Sequence, residues 1–297
     1  MKNTPLSLLA FLALGISCHA EVVIEWKFDG GKSLNGGELA TADAVAPGAS
    51  ATARLLPGSS IAAESTGISA KWSDFLRSGF LRSGRGTGKD EFGLKTEAAS
   101  AAANNANYLD YFTFSGLGSE ERATGGTLYM VFRPDAAWSN PVKRRALFGT
   151  GHTFEGVVNL QINEQKELSL TVGRVRPEAT KDAVSATLAP TWEQGAWYFV
   201  GASWRQNAAP VLFVRKLSPE GAKASPAGLI GKASGVAPTR TDSPKKDPLV
   251  IGASWINPGR NAGTVDGADA DIAYVRLENT HATQEDMEKA FESLAKN

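Results

Sequence analysis

Hydrophobic and polar residues alternate with a period of two along most of this chain. The alternating runs are rich in Val, Leu, Phe, Tyr and Trp, and clusters of Gly, Pro, Asn and Asp separate them. Both features are typical of β-strands joined by turns. The predicted strands cover residues 22–28, 106–114, 125–134, 144–151, 157–174, 196–206, 210–217, 248–255 and 271–279. The pattern therefore predicts an all-β domain.

Two of the connections are predicted to be hairpins. Residues 162–170, INEQKELSL, place a polar tip between two alternating arms, and residues 205–211, RQNAAPV, do the same. In the second hairpin Pro210 begins the return strand, where a missing N–H group is tolerated. The connection over 219–247 is long and has no helical period. We therefore expect a jelly-roll crossover there, mobile over residues 218–235.

One helix is predicted, and it is the last element of the chain. Thr283 can cap it, because Asp286 follows three residues later in the spacing of a capping box. Met287, Phe291 and Leu294 share one face at a spacing of four and then three residues. This apolar stripe predicts a helix that packs on the outside of a sheet.

The first twenty residues have the pattern of a secretory signal peptide. A lysine precedes a short apolar run, and Cys18 and Ala20 stand at the small-residue positions before a cleavage site at Glu21. The run is too short for a permanent membrane anchor. A second interpretation makes Cys18 the lipidated residue of a lipoprotein, although Gly15 stands where such motifs usually carry Leu. Export to the periplasm or the medium is expected in either case.

Composition narrows the range of functions. Cys18 is the only cysteine, so residues 21–297 have no disulfides, no zinc–thiolate site and no cysteine nucleophile. Thirty-one basic residues balance thirty-one acidic residues, and no long basic run occurs. Nucleic acid and anionic membranes are therefore not expected as partners. No linker divides residues 21–297, which we expect to form a single domain.

The order of the predicted strands resembles a known family. GTLYMVFRP, RRALFGTG, VVNLQINEQKELSLTVG, WYFVGASWRQN, PLVIGAS and DIAYVRLEN occur in that order, and THATQEDMEKAF follows them. Together they resemble the concanavalin A-like, laminin-G-like (LamG) jelly-roll domain of bacterial secreted proteins. The resemblance implies a two-sheet antiparallel jelly-roll sandwich with a short C-terminal helix, in which the first and last strands lie close together.

The resemblance also implies a calcium site at the rim of the sandwich. The segments KFDGG, near the start, and DGADAD, before the last strand, would then meet. This would bring together Asp29, Asp266, Asp269 and Asp271, and calcium prefers oxygen ligands of this kind. The alternative is that Asp and Gly only form the turns, since both tolerate positive φ angles.

Jelly-roll polysaccharide lyases offer one catalytic interpretation. His152, in a glycine-rich loop, could act as the general base, with Tyr129 or Tyr108 as the acid. Arg145 or Gln161 would then neutralise a uronate. The alternative is a loop histidine with no special role.

Two family signatures of enzymes are missing from the sequence. Asn163 stands where alginate lyases of this fold carry a histidine. Glu164 and Glu167 are the nearest match to the paired carboxylates of jelly-roll glycosidases, but they lie at a predicted hairpin tip. The sequence therefore favours a protein that is not an enzyme.

The seven tryptophans point to binding. Trp26, Trp197 and Trp204 lie in strongly alternating strands and are predicted to be core residues. Trp72, Trp138 and Trp255 lie in or beside loops, where an exposed ring could stack on a sugar. The candidate sugar-binding residues are Trp255, Asn257, Arg260, Asn261, Trp138 and Asn140. The alternative is that loop tryptophans cover the ends of the sandwich.

These observations favour an exported, non-catalytic LamG-like module that binds a polysaccharide or glycoconjugate, with calcium as a possible structural ion. Two alternatives stay open. One is a polysaccharide lyase or glycoside hydrolase with the same fold. The other is a structural protein of the cell envelope that binds other proteins.

Overall fold

The computed structural model describes most of the predicted domain. It describes residues 22–28, 33–35, 37–42, 44–45, 52–56, 58–62, 72, 79–83, 94–96, 125–135, 138, 144–150, 157–173, 183–237, 249–253 and 267–294. These residues form two antiparallel β-sheets and one short C-terminal helix, so the predicted β-sandwich is confirmed. The predicted strand over 106–114 lies outside the described residues. No described helix is long and apolar enough to cross a membrane.

The described residues form nineteen strands, one 3₁₀ turn and one helix. In order, the strands are β1 (Val22–Trp26), β2 (Leu34–Asn35), β3 (Leu39–Thr41), β4 (Ala44–Val45), β5 (Thr52–Leu55), β6 (Ser60–Ala62), β7 (Phe80–Arg82), β8 (Leu94–Thr96), β9 (Gly125–Pro134), β10 (Arg145–Thr150), β11 (Val157–Ile162), β12 (Leu168–Gly173), β13 (Ala183–Leu188), β14 (Tyr198–Arg205), β15 (Val211–Lys216), β16 (Leu229–Ile230), β17 (Lys232–Ala233), β18 (Leu249–Ile251) and β19 (Ala270–Glu278). A 3₁₀ turn covers Ala222–Ala224, and helix α1 covers Gln284–Leu294.

Each sheet mixes strands from both halves of the chain. Sheet A has the order β16-β15-β14-β9-β19-β7-β6-β2, and β1 pairs with both β19 and β4. Sheet B has the order β17-β13-β12-β11-β10-β18-β8-β5-β3. The first and last strands pair directly, with Glu25 opposite Arg276 and Trp26 opposite Val275, as the family resemblance implied.

The main hydrophobic core lies between the two sheets. Because side chains alternate across a strand, every second residue of β9, β11, β12 and β14 points into this core. Leu128, Met130 and Phe132 do so from sheet A, and Leu168 and Leu170 do so from sheet B. Two of the predicted core tryptophans, those of β1 and β14, belong to the same cluster and are 1% exposed.

The outer face of sheet A forms a second core under α1. Met287, Phe291 and Leu294 are buried against it, as the helical spacing predicted. The close approach needs Gly201 in β14, because a Cβ there would lie 2.7 Å from the sulfur of Met287. Sheet A is therefore covered on both faces where α1 crosses it.

Local hydrogen bonds fix where α1 begins. The Thr283 N–H donates to the Asp286 carboxylate at 2.9 Å, and the Asp286 N–H donates to the Thr283 hydroxyl at 3.3 Å. This is the predicted capping box. The preceding turn is held from the sheet, since the Ala282 N–H donates to the hydroxyls of Thr127 and Ser203.

Both predicted hairpins are present, but the crossover differs from the prediction. In the first hairpin the Asn163 side-chain oxygen accepts from the N–H groups of Gln165 and Glu167, which closes the turn between β11 and β12. Residues 218–235 were expected to be a mobile crossover. Instead, β16 pairs with β15 of sheet A and β17 pairs with β13 of sheet B, so the segment joins the edges of the two sheets.

Candidate functional site

The acidic turn before β19 binds arginines. The Asp271 carboxylate accepts from Arg82 Nε at 3.2 Å and from Arg133 Nη2 at 2.8 Å. Asp269 has a positive φ of 47° and its carboxylate accepts from Arg145 Nε at 3.3 Å. The positive φ is the turn geometry that one interpretation of the sequence expected. The two described aspartates are thus neutralised by guanidinium groups.

The predicted calcium ligands are only partly described. Asp29 and Asp266 lie outside the described residues, so their distance to the other two aspartates is not part of the structure described. Within the described ranges, no group of three or more His, Cys, Asp or Glu residues could hold a metal ion. A calcium site at this rim therefore stays a prediction.

The structure assigns Trp138 to packing. Its side chain is 4% exposed and its indole N–H donates to the Ala268 carbonyl at 2.8 Å. The ring centroid lies 5.4 Å from that of Phe132 and 5.1 Å from that of Trp192. A ring enclosed in this way offers no open plane to a sugar, so the expectation for Trp138 is corrected in favour of the packing alternative.

The second candidate loop tryptophan, Trp72, is also buried. Trp72 is 1% exposed, donates to the Ser218 carbonyl at 2.9 Å and packs edge-on against Phe291. The remaining candidate sugar-binding residues lie outside the described residues; they are Asn140, Trp255, Asn257, Arg260 and Asn261.

Of the residues proposed for a lyase, the described tyrosine lies apart from the described arginine and glutamine. Tyr129 lies on the outer face of sheet A, under α1, with its ring stacked on Phe199 at 5.9 Å. Gln161 and Arg145 belong to sheet B. The expectation that Tyr129 acts with either of them is therefore corrected, because the sandwich core separates the two sheets. His152 and Tyr108 lie outside the described residues.

Sheet B presents a face of uncharged polar side chains to the outside. On β11, β12 and β13 the apolar neighbours point into the core, so the alternate positions point away from it. These outward positions form the polar face of sheet B, which we define as Asn159, Gln161, Ser169, Thr171, Ser185 and Thr187. All of them carry amide or hydroxyl groups.

Register aligns these side chains in two rows across the strands. One row joins Asn159, Thr171 and Ser185, and the other joins Gln161, Ser169 and Thr187. The Thr171 and Ser185 hydroxyls lie 3.0 Å apart, within hydrogen-bond distance. Ser169 is only 6% exposed, whereas its neighbours are half-buried. The rows therefore form an ordered array of donors and acceptors.

A pocket of about 270 Å³ lies on the opposite side of the molecule, between sheet A and α1. Three outward positions of β19 form its polar wall: Tyr274, Arg276 and Glu278. The rest of its lining is Tyr129, Phe199, Lys289, Ala290, Ser293 and Leu294. The pocket thus combines aromatic and aliphatic walls with a guanidinium and a carboxylate.

Hydrogen bonds organise the polar wall of the pocket. Arg276 Nη2 donates to the Glu278 carboxylate, and the Tyr274 hydroxyl donates to Glu25 Oε1 at 2.7 Å. Arg276 also lies opposite Tyr129 of β9 and Glu25 of β1. Arg276 Nε is buried and has no hydrogen-bond partner among the described residues. The polar wall therefore contains one buried donor without an acceptor among the described residues.

Burial controls the ionisation of this cluster. It raises the pKa of Tyr129, helped by the negative charge of Glu278, and raises that of Tyr274, helped by Glu25. Both phenols therefore keep their protons at neutral pH. Burial also raises the pKa of the Glu278 carboxyl, and the Arg276 guanidinium opposes this shift. Strongly shifted pKa values in a pocket are a feature of functional sites.

Sequence reasoning missed this pocket, although a signal was present. Tyr274, Arg276 and Glu278 alternate with Val275 and Leu277 along β19, so they share the face opposite the core. A helix was predicted to cover the outside of a sheet. Charged residues on a sheet face that a helix covers are the pattern that could have indicated a site.

Comparisons with known proteins support the fold. No family model matches the chain, and no curated protein matches it. Among solved structures, it is similar to the binding domain of botulinum neurotoxin serotype D/C, with a TM-score of 0.52 and 9% identity. The match covers 92% of this chain and 52% of that one, so the chain spans about half the length of the neurotoxin domain.

Two further similarities are weaker. The CBM40 of the Ruminococcus gnavus IT-sialidase, bound to α2,3-sialyllactose, matches with a TM-score of 0.38 and 10% identity, over 56% of this chain and 82% of that one. The Trypanosoma rangeli sialidase, in complex with 2,3-difluorosialic acid, matches with a TM-score of 0.43 and 16% identity, over 72% and 29%.

Proposed function

We propose that this chain is an exported, non-catalytic carbohydrate-binding module of LamG type, and that its glycan lies across the polar face of sheet B. The observation that supports the proposal most directly is the register of this face. Two rows of amide and hydroxyl side chains cross β11, β12 and β13. A polysaccharide also presents its hydroxyl groups in repeating rows.

The chemistry of the side chains fits an uncharged polymer. Amides offer both donors and acceptors, and hydroxyls can act as either, so the face can match sugar hydroxyls in several orientations. Neighbouring strands lie about 4.8 Å apart, so three strands place partners at regular intervals across the chain of a glycan. Among the described outward positions, the nearest charged residue is Lys232 on the edge strand β17, opposite Thr187.

Export and processing are part of the same proposal. Residues 1–20 would be removed before Glu21, which leaves a cysteine-free domain in the periplasm or the medium. N-terminal sequencing of the exported protein tests this point. A mature N-terminus at a lipidated Cys18 would identify the lipoprotein alternative.

Affinity electrophoresis tests the glycan proposal. The purified protein is run through native gels cast with a panel of polysaccharides, beside the variants Asn159→Ala and Gln161→Ala. A matched control is Gln165→Ala, which removes the same amide at the exposed tip of the β11–β12 hairpin. Each lost hydrogen bond contributes about 1 kcal/mol. We therefore expect each face variant to bind about fivefold more weakly, and the double variant about 30-fold more weakly.

The gels separate the possible outcomes. Retardation that the face variants lose and the hairpin control keeps, with unchanged melting temperatures, supports the proposal. Equal retardation of all variants would move the glycan site away from sheet B. Staining the gels for polymer afterwards tests the enzyme alternative, since a cleared zone around the band would mean cleavage. No retardation on any polysaccharide would favour a structural, protein-binding role.

A further inference from the structure

The pocket under α1 has a feature that packing alone does not explain. A sheet face covered by a helix is normally apolar, as it is here around Phe199 and Met287. Yet β19 places a guanidinium and a carboxylate on this face, and a pocket of about 270 Å³ opens beside them. Burying charged groups is unfavourable unless they are paired and hydrogen-bonded. Arg276 and Glu278 are paired, but a buried pair is often no more stable than apolar residues of similar volume, so packing alone does not account for them.

The unsatisfied donor defines part of what would complete the site. Arg276 Nη2 is used by Glu278, but Arg276 Nε is buried without a partner among the described residues. A buried donor left without an acceptor is destabilising. Arg276 lines the pocket and its side chain is 33% exposed, so its guanidinium can donate to an oxygen atom of a ligand there. The neighbouring Glu278 carboxylate would accept a hydrogen bond from the same ligand.

The charges around the pocket favour an uncharged ligand. Arg276 is paired with Glu278, and Lys289 is paired with Glu285 at 2.7 Å. Glu25, beside the pocket, accepts from the Tyr274 hydroxyl and lies 3.9 Å from Lys27. Because these charges are already neutralised in pairs, a charged ligand would bring an uncompensated charge into a partly buried site.

The shape and the walls narrow the ligand further. Ligand pockets for drug-sized molecules begin at about 300 Å³, so a pocket of about 270 Å³ suits a single small ring. Ala290 and Leu294 offer apolar surface to the C–H groups of such a ring, with the buried Phe199 behind them. Neighbouring hydroxyls on the ring could accept from Arg276 and donate to Glu278.

We propose that this pocket is a second binding site, which takes an uncharged cyclic polyol the size of one monosaccharide. The site shares no residue with the polar face of sheet B, so this inference does not rest on the glycan proposal made for that face. A free monosaccharide and the terminal residue of a glycan present the same chemistry to the pocket.

Calorimetric titration and saturation-transfer NMR test the ligand class. The probes are D-glucose, D-galactose, D-mannose and myo-inositol at up to about 10 mM, a range suited to weak affinities. Two comparisons use matched compounds: cyclohexanol has one hydroxyl on a similar ring, and D-glucuronate adds a carboxylate to glucose. We expect at least one polyol to bind at least tenfold more tightly than cyclohexanol, and glucose to bind more tightly than glucuronate.

Two variants place the binding in the pocket. Ala290→Leu fills the space and leaves the Arg276–Glu278 pair intact, with Ala227→Leu on the exposed crossover as its control. Glu278→Gln keeps the shape and removes the charged acceptor, with Glu292→Gln on the exposed side of α1 as its control. We expect Ala290→Leu to abolish binding and Glu278→Gln to weaken it about tenfold.

The results decide the proposal in either direction. Loss of binding in both pocket variants, with both controls and the polar-face variant Gln161→Ala unaffected, supports it. Binding that survives Ala290→Leu, equal binding of cyclohexanol, or no binding by any polyol of the panel would overturn it. If methyl glycosides bind as well as free sugars, the supported ligand is the end of a glycan. If they do not, it is a free monosaccharide.

Discussion

Replacing Gly201 with alanine tests how α1 docks on sheet A. A Cβ at this position would lie 2.7 Å from the sulfur of Met287, 2.9 Å from its Cγ and 3.3 Å from its Cβ. The Met287 side chain is fully buried in the hydrophobic cluster under α1, so moving it away from the new methyl group must disturb packed neighbours. Overpacking of this kind costs about 1–3 kcal/mol. Gly→Ala regains about 0.4–1 kcal/mol by restricting the unfolded chain. We expect Gly201→Ala to lower the free energy of unfolding by about 1–2 kcal/mol.

Urea unfolding, followed by tryptophan fluorescence, measures this loss. Gly235→Ala is the control, because its added Cβ meets only Val184 Cγ1, at 3.3 Å. Met287→Ala alone should cost about 2–5 kcal/mol, since it leaves a cavity. In the double variant Gly201→Ala/Met287→Ala the new methyl group fills part of that cavity. The double variant should therefore lose about 1 kcal/mol less free energy of unfolding than the sum of the losses in the two single variants.

Hydrogen exchange locates the effect. Because the added methyl group disturbs the contact between Gly201 and α1, we expect the α1 amides to exchange faster in Gly201→Ala. The amides of β11 and β12 in sheet B should keep their protection. If Gly201→Ala were as stable as the control and α1 exchanged at the wild-type rate, the reasoning from this close approach would be wrong. Full additivity in the double variant would contradict it as well.

Three further predictions follow from local electrostatics. Hydrogen bonds from Thr283 lower the pKa of Asp286. The stability that they add is therefore present at neutral pH and is lost as the pH falls through the lowered pKa. Asp286→Ala should reduce the free energy of unfolding by about 1 kcal/mol, measured by urea unfolding at pH 7. Burial, and next the charge of Arg205, lowers the pKa of His281 below 6.5, so the unfolded chain binds more protons in acid. Urea midpoints should therefore fall as the pH drops below about 6.5, less steeply in His281→Gln. If the rim holds the implied calcium ion, calcium should raise the melting temperature by several degrees and EDTA should reverse the rise; an unchanged melting temperature would leave Asp271 to its two arginines alone.

The strongest sequence patterns were also the most reliable. Strand β9 has the predicted bounds of 125–134, because its ten residues alternate or stay apolar throughout. Helix α1 was predicted from a capping residue and from Met287, Phe291 and Leu294 on one face. Both signals are local, and each repeats several times within one element. Such elements can be predicted without knowing their partners.

Strand β13 was missed because its pattern is weak. It reads AVSATL over 183–188, with Ala186 rather than a large apolar residue at an inward position and hydroxyls at two outward positions. The same small polar residues that hid the strand form part of the polar face of sheet B. Tertiary pairing with β12 and β17 stabilises the strand, and a single sequence does not show that pairing.

The partners of the candidate site residues lie far away in the chain, so the sequence did not reveal them. The family resemblance implied Asp271 as a calcium ligand, and the sequence did not show that Arg82 and Arg133, 189 and 138 residues away in the chain, bind its carboxylate. Trp138 was proposed as a sugar platform from its loop, yet the carbonyl of Ala268 and the ring of Trp192 enclose it. Local composition was correct about the turn and about the loop. It could not show what covers them.

The outer faces of the two sheets carry different kinds of polar residue, and this difference argues for two kinds of site. Strands β11, β12 and β13 of sheet B carry uncharged polar groups at their outward positions, which β-strands tolerate at little cost. Sheet A is covered by α1, and there an Arg276–Glu278 pair is less favourable than apolar residues of similar volume. Phe199 and Val131 show that the same face accepts such residues nearby. This charged pair lies beside an open pocket on a face that is otherwise apolar, and a ligand that forms hydrogen bonds with the pair explains both features.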